Sequence, residues 1–285
     1  MSFALFGPAG NSESFYAAGH KHTTEAPAWL SEIGLDAYEY QCGNGIGARE
    51  KTLREIGEAA KTHGIKMSLH TPYYISLSGV EREKRLKSID YIEQSLAAAE
   101  CLGADIIVIH TGSAAKISRE EAMSLASDTL YKAIEKFGEE GIKLGLETMG
   151  KINQLGTLDE VLTLCKLSKR LVPVVDFGHL NARAVGGAFA CEDDYRRVFD
   201  AIGNAISPDV AKNLHCHFSK IEYTSAGEKR HLTFEDTVFG PDPELLMAVL
   251  AKDGLTPRII CESAGTMADD ALYMKKNYLS WRNEK

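Results

Sequence analysis

The sequence predicts an α/β protein folded as one (β/α)8 barrel, a TIM barrel forming a single domain over residues 1–285. Three observations predict it. Eight short aliphatic runs alternate with long amphipathic stretches from end to end. The 285 residues are close to the length of about 250 usual for that fold, and near the size at which one core stops growing. The rival architecture, an open doubly wound sheet, wants a G-x-G-x-x-G loop after its first strand, and GPAGN (7–11) stands there instead.

The runs are FALF (3–6), LDAYEY (35–40), IKMSLH (65–70), DIIVIH (105–110), IKLGLE (142–147), VPVVDF (172–177), NLHCHF (213–218) and RIICE (258–262). Short runs rich in Val, Ile and Leu suit parallel strands buried on both faces. Between them, residues 48–63, 80–102, 118–138, 157–168, 194–206, 243–253 and 268–281 read as helices. In 80–102, Leu86, Ile89, Ile92 and Leu96 recur at intervals of three or four, which puts them on one helical face. Thr157 followed by Glu160 forms a capping-box signature. Gly64, Gly103, Gly141 and Gly254 precede strands, where a helix ends most easily on glycine.

Hydrophobic residues at 44% and charged residues at 25% exclude a disordered chain, a collagen-like fibre and a low-complexity scaffold. A net charge of −8 excludes holding nucleic acid by bulk charge, so such a contact needs a local basic patch or a metal. The six cysteines, at 42, 101, 165, 191, 216 and 261, include no C-x-x-C pair and read as reduced thiols. MSFALFGPAG has no basic segment before its apolar residues, so no signal peptide is expected. The longest aliphatic stretch, Ile106–Ile109, is far too short to span a bilayer. A cytoplasmic, monomeric protein with no membrane contact is expected.

Polar residues at the run ends carry the chemistry. The third run ends at His70, the fourth at His110 and the fifth at Glu147. The sixth ends at Asp176, with His179 three residues on; the seventh carries His215 and His217; the eighth ends at Glu262. His231 falls in the long loop after the seventh. The C-terminal ends of barrel strands surround one mouth, so these side chains converge. Carboxylates crowded there without a cation would repel or protonate. A metal removes that conflict, and imidazole with carboxylate is the ligand set of zinc, manganese or iron. Cys216 and Cys261 alternate with inward residues and should point outward as small hydrophobes. His63 reads as a helix-end charge, and His20 and His22 as loop residues.

SLHTPYYISL (68–77), IVIHTGS (107–113), LETMGK (146–151), VVDFGHLNAR (174–183), HCHFSK (215–220), EKRH (228–231) and ICES (260–263) resemble, in that order, the motifs of the endonuclease IV family. These are metal-dependent apurinic/apyrimidinic endonucleases on a (β/α)8 barrel. The resemblance implies a cluster of two or three zinc ions. His70 and His110 would hold one ion. Glu147 would bridge two and act as the catalytic carboxylate. Asp176, a histidine of the seventh strand and Glu262 would complete the second, and His179 and His231 would hold the third. The family usually has an aspartate two residues before the last histidine, where this chain has Lys229. The third site is therefore weak, absent or completed otherwise, for instance by Glu228. Register against Ser219-Lys220 favours His215 as the strand-seven ligand, and proximity to the mouth favours His217.

The same resemblance implies damaged double-stranded DNA as partner, with Tyr73 beside it. Lys151, Arg183, Lys220, Lys229 and Arg230 fall in mouth-side loops and are candidates for a phosphate-binding rim. The reaction implied is hydrolysis of the phosphodiester 5′ to an abasic site. The rival is a sugar or sugar-phosphate isomerase or epimerase using one metal on Glu147, Asp176, His215 or His217, and Glu262. That chemistry leaves His70, His110, His179 and His231 without a task.

Overall fold

The computed structural model describes residues 3–283. Eight parallel strands form the wall: β1 (Leu5–Pro8), β2 (Ala37–Gln41), β3 (Lys66–His70), β4 (Ile106–His110), β5 (Lys143–Glu147), β6 (Leu171–Asp176), β7 (His215–Phe218) and β10 (Arg258–Cys261), with β8 (Ile221–Thr224) and β9 (Gly227–His231) forming a separate antiparallel hairpin. The wall runs β1-β10-β7-β6-β5-β4-β3-β2. It closes between β2 and β1, where the Asp36 amide donates to the Phe6 carbonyl at 2.8 Å and the Gly10 amide to the Glu39 carbonyl at 3.0 Å. Gly7 permits this closure: a β-carbon there would overlap the Ala37 carbonyl and lie 2.9 Å from its α-carbon.

The outer ring comprises α1 (Glu13–Ala17), α2 (Ala26–Ile33), α3 (Glu50–His63), α4 (Arg82–Leu102), α5 (Arg119–Phe137), α6 (Leu158–Cys165), α7 (Phe177–Arg183), α8 (Glu192–Ala205), α9 (Pro208–Lys212), α10 (Pro243–Asp253) and α11 (Met267–Asn283). The single-domain barrel expected from the sequence is borne out. Among the described residues, no helix is long and apolar enough to cross a membrane.

The departures are local. The first strand sits two residues later than FALF, and α1 and α2 fill the first connection. Thr157 and Glu160 make the expected reciprocal cap on α6. Gly64, Gly103 and Gly254 end helices in the left-handed region, but α5 ends at Gly138 rather than at Gly141. The segment carrying His231, expected as loop, is strand β9.

Strand alternation divides the side chains into two sets. Leu69, Ile107, Ile109, Leu144, Leu146, Val175, Cys216, Phe218, Ile259 and Cys261 pack outward in the main core against the helices. Cys216 and Cys261 thus behave as the small hydrophobes expected. Inside the barrel, Ile106, Val108 and Val174 fill the lower layers. Gly145 makes room for them, since a β-carbon there would stand 2.5 Å from Val174 Cγ2. The layer above is polar.

Candidate metal centre

Each polar residue of that upper layer stands at a strand end facing inward. Glu147, the last residue of β5, has no exposed surface. Its Oε2 lies 3.3 Å from Nε2 of both His70 and His110. Its Oε1 lies 3.0 Å from His217 Nδ1 and 3.4 Å from His179 Nδ1. One carboxylate therefore faces four imidazoles, two on each oxygen.

Three donor groups radiate from it. His70, His110 and Glu147 form the first. Glu147, Asp176, His217 and Glu262 form the second. His179, Glu228 and His231 form the third. Within each group the donor atoms lie within 4.8 Å of one another. The hydrogen bonds behind them suit ligation. His70 Nδ1 donates to the Thr71 carbonyl at 2.9 Å, which leaves the Nε2 lone pair facing the mouth. His179 Nδ1 contacts the Thr148 carbonyl at 3.0 Å, and its Nε2 faces Glu228 Oε2 at 3.4 Å. His231 Nδ1 bonds the Ser219 hydroxyl at 2.8 Å. Asp176 caps α7: Oδ1 accepts from the His179 amide at 2.7 Å, whereas Oδ2 is buried with no hydrogen-bond partner. A buried carboxylate oxygen with no hydrogen bond, its nearest ionic partner being His179 Nδ1 at 3.4 Å, is costly unless a cation meets it. The donor set and this oxygen without a hydrogen bond both fit a divalent metal.

The electrostatics agree. Among the described residues, no Lys or Arg pairs with Glu39, Glu147, Asp176, Glu228 or Glu262; every ionic partner within 4.0 Å is an imidazole. Burial alone would raise the Glu147 carboxyl, but His217, His110 and His179 outweigh it and hold it well below the usual range. Glu262 moves the other way, pushed up by burial against the pull of His217 and His231, with Glu147 and Asp176 adding to the rise. Two neighbouring carboxyls are thus held in different protonation tendencies, Glu147 by its imidazoles and Glu262 mainly by its burial. Burial depresses His70, yet the Glu147 hydrogen bond and charge, with Glu39 and Glu262, lift it to about 9.

Height separates the two strand-seven histidines. His217 lies level with Asp176 across β6–β7 and reaches Glu147 and Glu262. His215 sits one layer deeper, outside the second donor group, where Nε2 bonds Glu39 Oε2 at 2.9 Å. Burial holds it down at about 4 against the opposing effect of Glu39.

The third group also differs from the expected spacing, for a physical reason. The β8–β9 ladder pairs Glu222 with Arg230 and Tyr223 with Glu228, so Lys229 is an extra residue in a bulge. A bulge reverses the alternation of side chains. Glu228, not residue 229, then shares a face with His231. Lys229 and Arg230 both pair instead with Glu222, at 2.5 and 2.6 Å.

The candidates for a phosphate-binding rim mostly have partners within the chain. Arg183 donates to the carbonyls of Met149, Lys151, Ile152 and Gln154. Lys220 donates to those of Phe234 and Asp236. With Lys229 and Arg230 paired to Glu222, four of the five candidate cations are engaged within the chain. Tyr73 is exposed, its hydroxyl donating to Asn44 Oδ1 at 3.0 Å. His20 stacks on Phe15, and His63 ends α3, both away from the centre. The residue that sequence reasoning missed is Glu39. It is buried in β2 and bonded to His215 and Ser68. Its signal is an acid between two aromatics, Tyr38 and Tyr40, within the second run.

Residues 27–277 match a family model described as the xylose isomerase-like TIM barrel. The chain belongs to that family. An uncharacterized protein of Methanocaldococcus jannaschii is 30% identical to this xylose isomerase-like barrel over 251 residues, 86% of this chain and 88% of that one. A probable endonuclease 4 of Acholeplasma laidlawii is 31% identical over 144 residues, 45% of this chain and about half, 49%, of its own length. Among solved structures, a D-tagatose 3-epimerase-like protein superposes with a TM-score of 0.69 at 21% identity, covering 90% of this chain and 93% of that one. Endonuclease IV from Thermus thermophilus superposes with a TM-score of 0.67 at 16% identity, covering 92% and 95%. The resemblance to endonuclease IV read from the sequence is thus met by relatives named probable endonuclease 4, while the family the chain is shown to belong to is the xylose isomerase-like TIM barrel. The structural likenesses, at these identities, concern the fold.

Proposed function

We propose that the chain is a metal-dependent phosphodiester hydrolase that cuts DNA on the 5′ side of an abasic deoxyribose, leaving a 3′-hydroxyl. The observation that carries this reading is Glu147, whose two oxygens each face two imidazoles at the meeting point of three donor groups. A one-metal reaction has no use for that arrangement. His70, His110 and Glu147 would hold one ion, Glu147, Asp176, His217 and Glu262 a second, and His179, Glu228 and His231 a third. Zinc is the first choice, with manganese or iron accepted by the same donors. When bound, such ions polarise a phosphoryl oxygen and lower the pKa of water from 15.7 towards about 7.

The chain's own groups supply the rest. Glu147 fixes the spacing of the two inner donor groups. Thr71 and Thr148 carbonyls hold the His70 and His179 rings in register. Tyr73, exposed at the rim, offers a face for stacking against a displaced nucleotide, and a missing base lowers the cost of extruding one.

One observation favours a second reading, a metal-dependent sugar epimerase using Glu147 and Glu262 to move a proton beside a carbonyl. Four of the five candidate rim cations are spent on internal partners, which suits a small substrate better than a polyanion. The deciding assay offers a duplex bearing one abasic analogue to the metal-loaded protein. A single cut, abolished by EDTA and by Glu147→Gln, is expected. An intact duplex alongside epimerised ketohexose would replace the first reading with the second.

A further inference from the structure

We infer that Glu39 is a positioning residue for the candidate metal centre, fixing the His217 ring from below so that its Nδ1 points at the Glu147–Asp176–Glu262 group. This rests on the metal reading and adds to it a residue outside the three donor groups assigned there.

Glu39 lies one layer beneath the mouth, fully buried, with no Lys or Arg paired to it among the described residues. Its Oε2 accepts from Ser68 Oγ and from His215 Nε2, both at 2.9 Å. Its Oε1 accepts from Gln41 Nε2 at 3.3 Å and stands 3.0 Å from His217 Nε2. The other nitrogen of His217 faces Glu147 Oε1 at 3.0 Å and Glu262 Oε1 at 3.5 Å. An imidazole that ligates through Nδ1 must keep its proton on Nε2, and a buried N–H needs an acceptor. Glu39 is the one carboxylate within 4.0 Å of that nitrogen among the described residues. The 3.0 Å contact lies off the N–H axis, so Nε2 has no aligned hydrogen bond and Glu39 is the partner within reach. A carboxylate behind a ligating imidazole fixes its tautomer and raises its basicity, an effect of about 10–100-fold in metal affinity.

Glu39, His215 and His217 also lie close enough to hold an ion themselves. Geometry argues against it. His215 Nε2 and Ser68 Oγ already occupy Oε2, and His217 cannot as a neutral ring donate lone pairs both upward and downward.

The test is zinc titration of chelator-stripped full-length protein against a chromophoric competitor, comparing wild type, Glu39→Gln, Glu39→Ala and His215→Ala. Unchanged stoichiometry is expected throughout. One ion should bind about 10–100-fold more weakly in Glu39→Ala. The loss should be smaller in Glu39→Gln, whose amide oxygen still accepts. All affinities should be retained in His215→Ala, even if its melting temperature falls. A purely structural Glu39 would lower melting without weakening one ion selectively. Should Glu39→Ala not fold, the isosteric Glu39→Gln carries the comparison. Wild-type affinities in the Glu39 variants, or loss of one whole ion, would overturn this inference alone. A wild type that takes up no zinc would overturn the metal reading and this inference with it.

Discussion

Glu147→Gln in chelator-treated protein should flatten the dependence of stability on pH between about 6.5 and 9. His70 is the gauge. Burial works against its charged form, but the Glu147 hydrogen bond and charge, then Glu39 and Glu262, raise it from 6.5 to about 9. A histidine raised on folding contributes stability that is fully present below its unfolded value. That stability drains away as pH climbs through the folded value. At 1.36 kcal/mol per pH unit the span amounts to about 3 kcal/mol. At roughly 2 °C per kcal/mol for a domain of this size, that is about 6 °C of melting temperature. His179 and His217 are also held above the ordinary range, burial again opposing and Asp176, Glu39, Glu147, Glu228 and Glu262 prevailing, so they add with the same sign. Removing the Glu147 charge should cut the loss of stability between pH 6.5 and 9 by about half or more. Urea unfolding in EDTA at pH 6.5, 7.5 and 9 measures it. An unchanged slope in the variant would refute the claim that Glu147 holds these imidazoles charged.

Gly7→Ala should destabilise the barrel at its closing seam by about 3 kcal/mol, since the new methyl meets Ala37 backbone that cannot turn aside. A melting temperature within about 1 °C of wild type would show that β1 and β2 can part freely. On the proposed three-ion reading, Glu228→Gln should weaken zinc uptake at the outermost donor group, and Lys229→Asp should leave it unchanged because that position is the bulge residue paired with Glu222. Ion counts by atomic absorption with graded chelator separate the two, and a gain in Lys229→Asp would reverse the assignment.

The barrel and most of the centre were legible because both follow from strand periodicity. A two-residue alternation and a common mouth are enough to bring His70, His110, Glu147, Asp176 and Glu262 together. Choosing between His215 and His217 required the height of β7 against β6, which no single strand encodes. Glu39 was hidden because its run, LDAYEY, ends at Tyr40, so the acid is not the terminal residue of the run. The fate of Arg183 and Lys220 was illegible for another reason. Their partners are main-chain carbonyls, and any residue type carries one.

The extra residue in β9 bears on how related chains are compared. Column-by-column matching would score position 229 as a donor replaced by a cation and discard the outer site. Three-dimensional superposition of Glu228 and His231 keeps it. In such a hairpin the side of the ribbon decides what a residue can reach, and the count of residues does not. Surveys of this barrel should therefore accept an acid at either offset before the final imidazole.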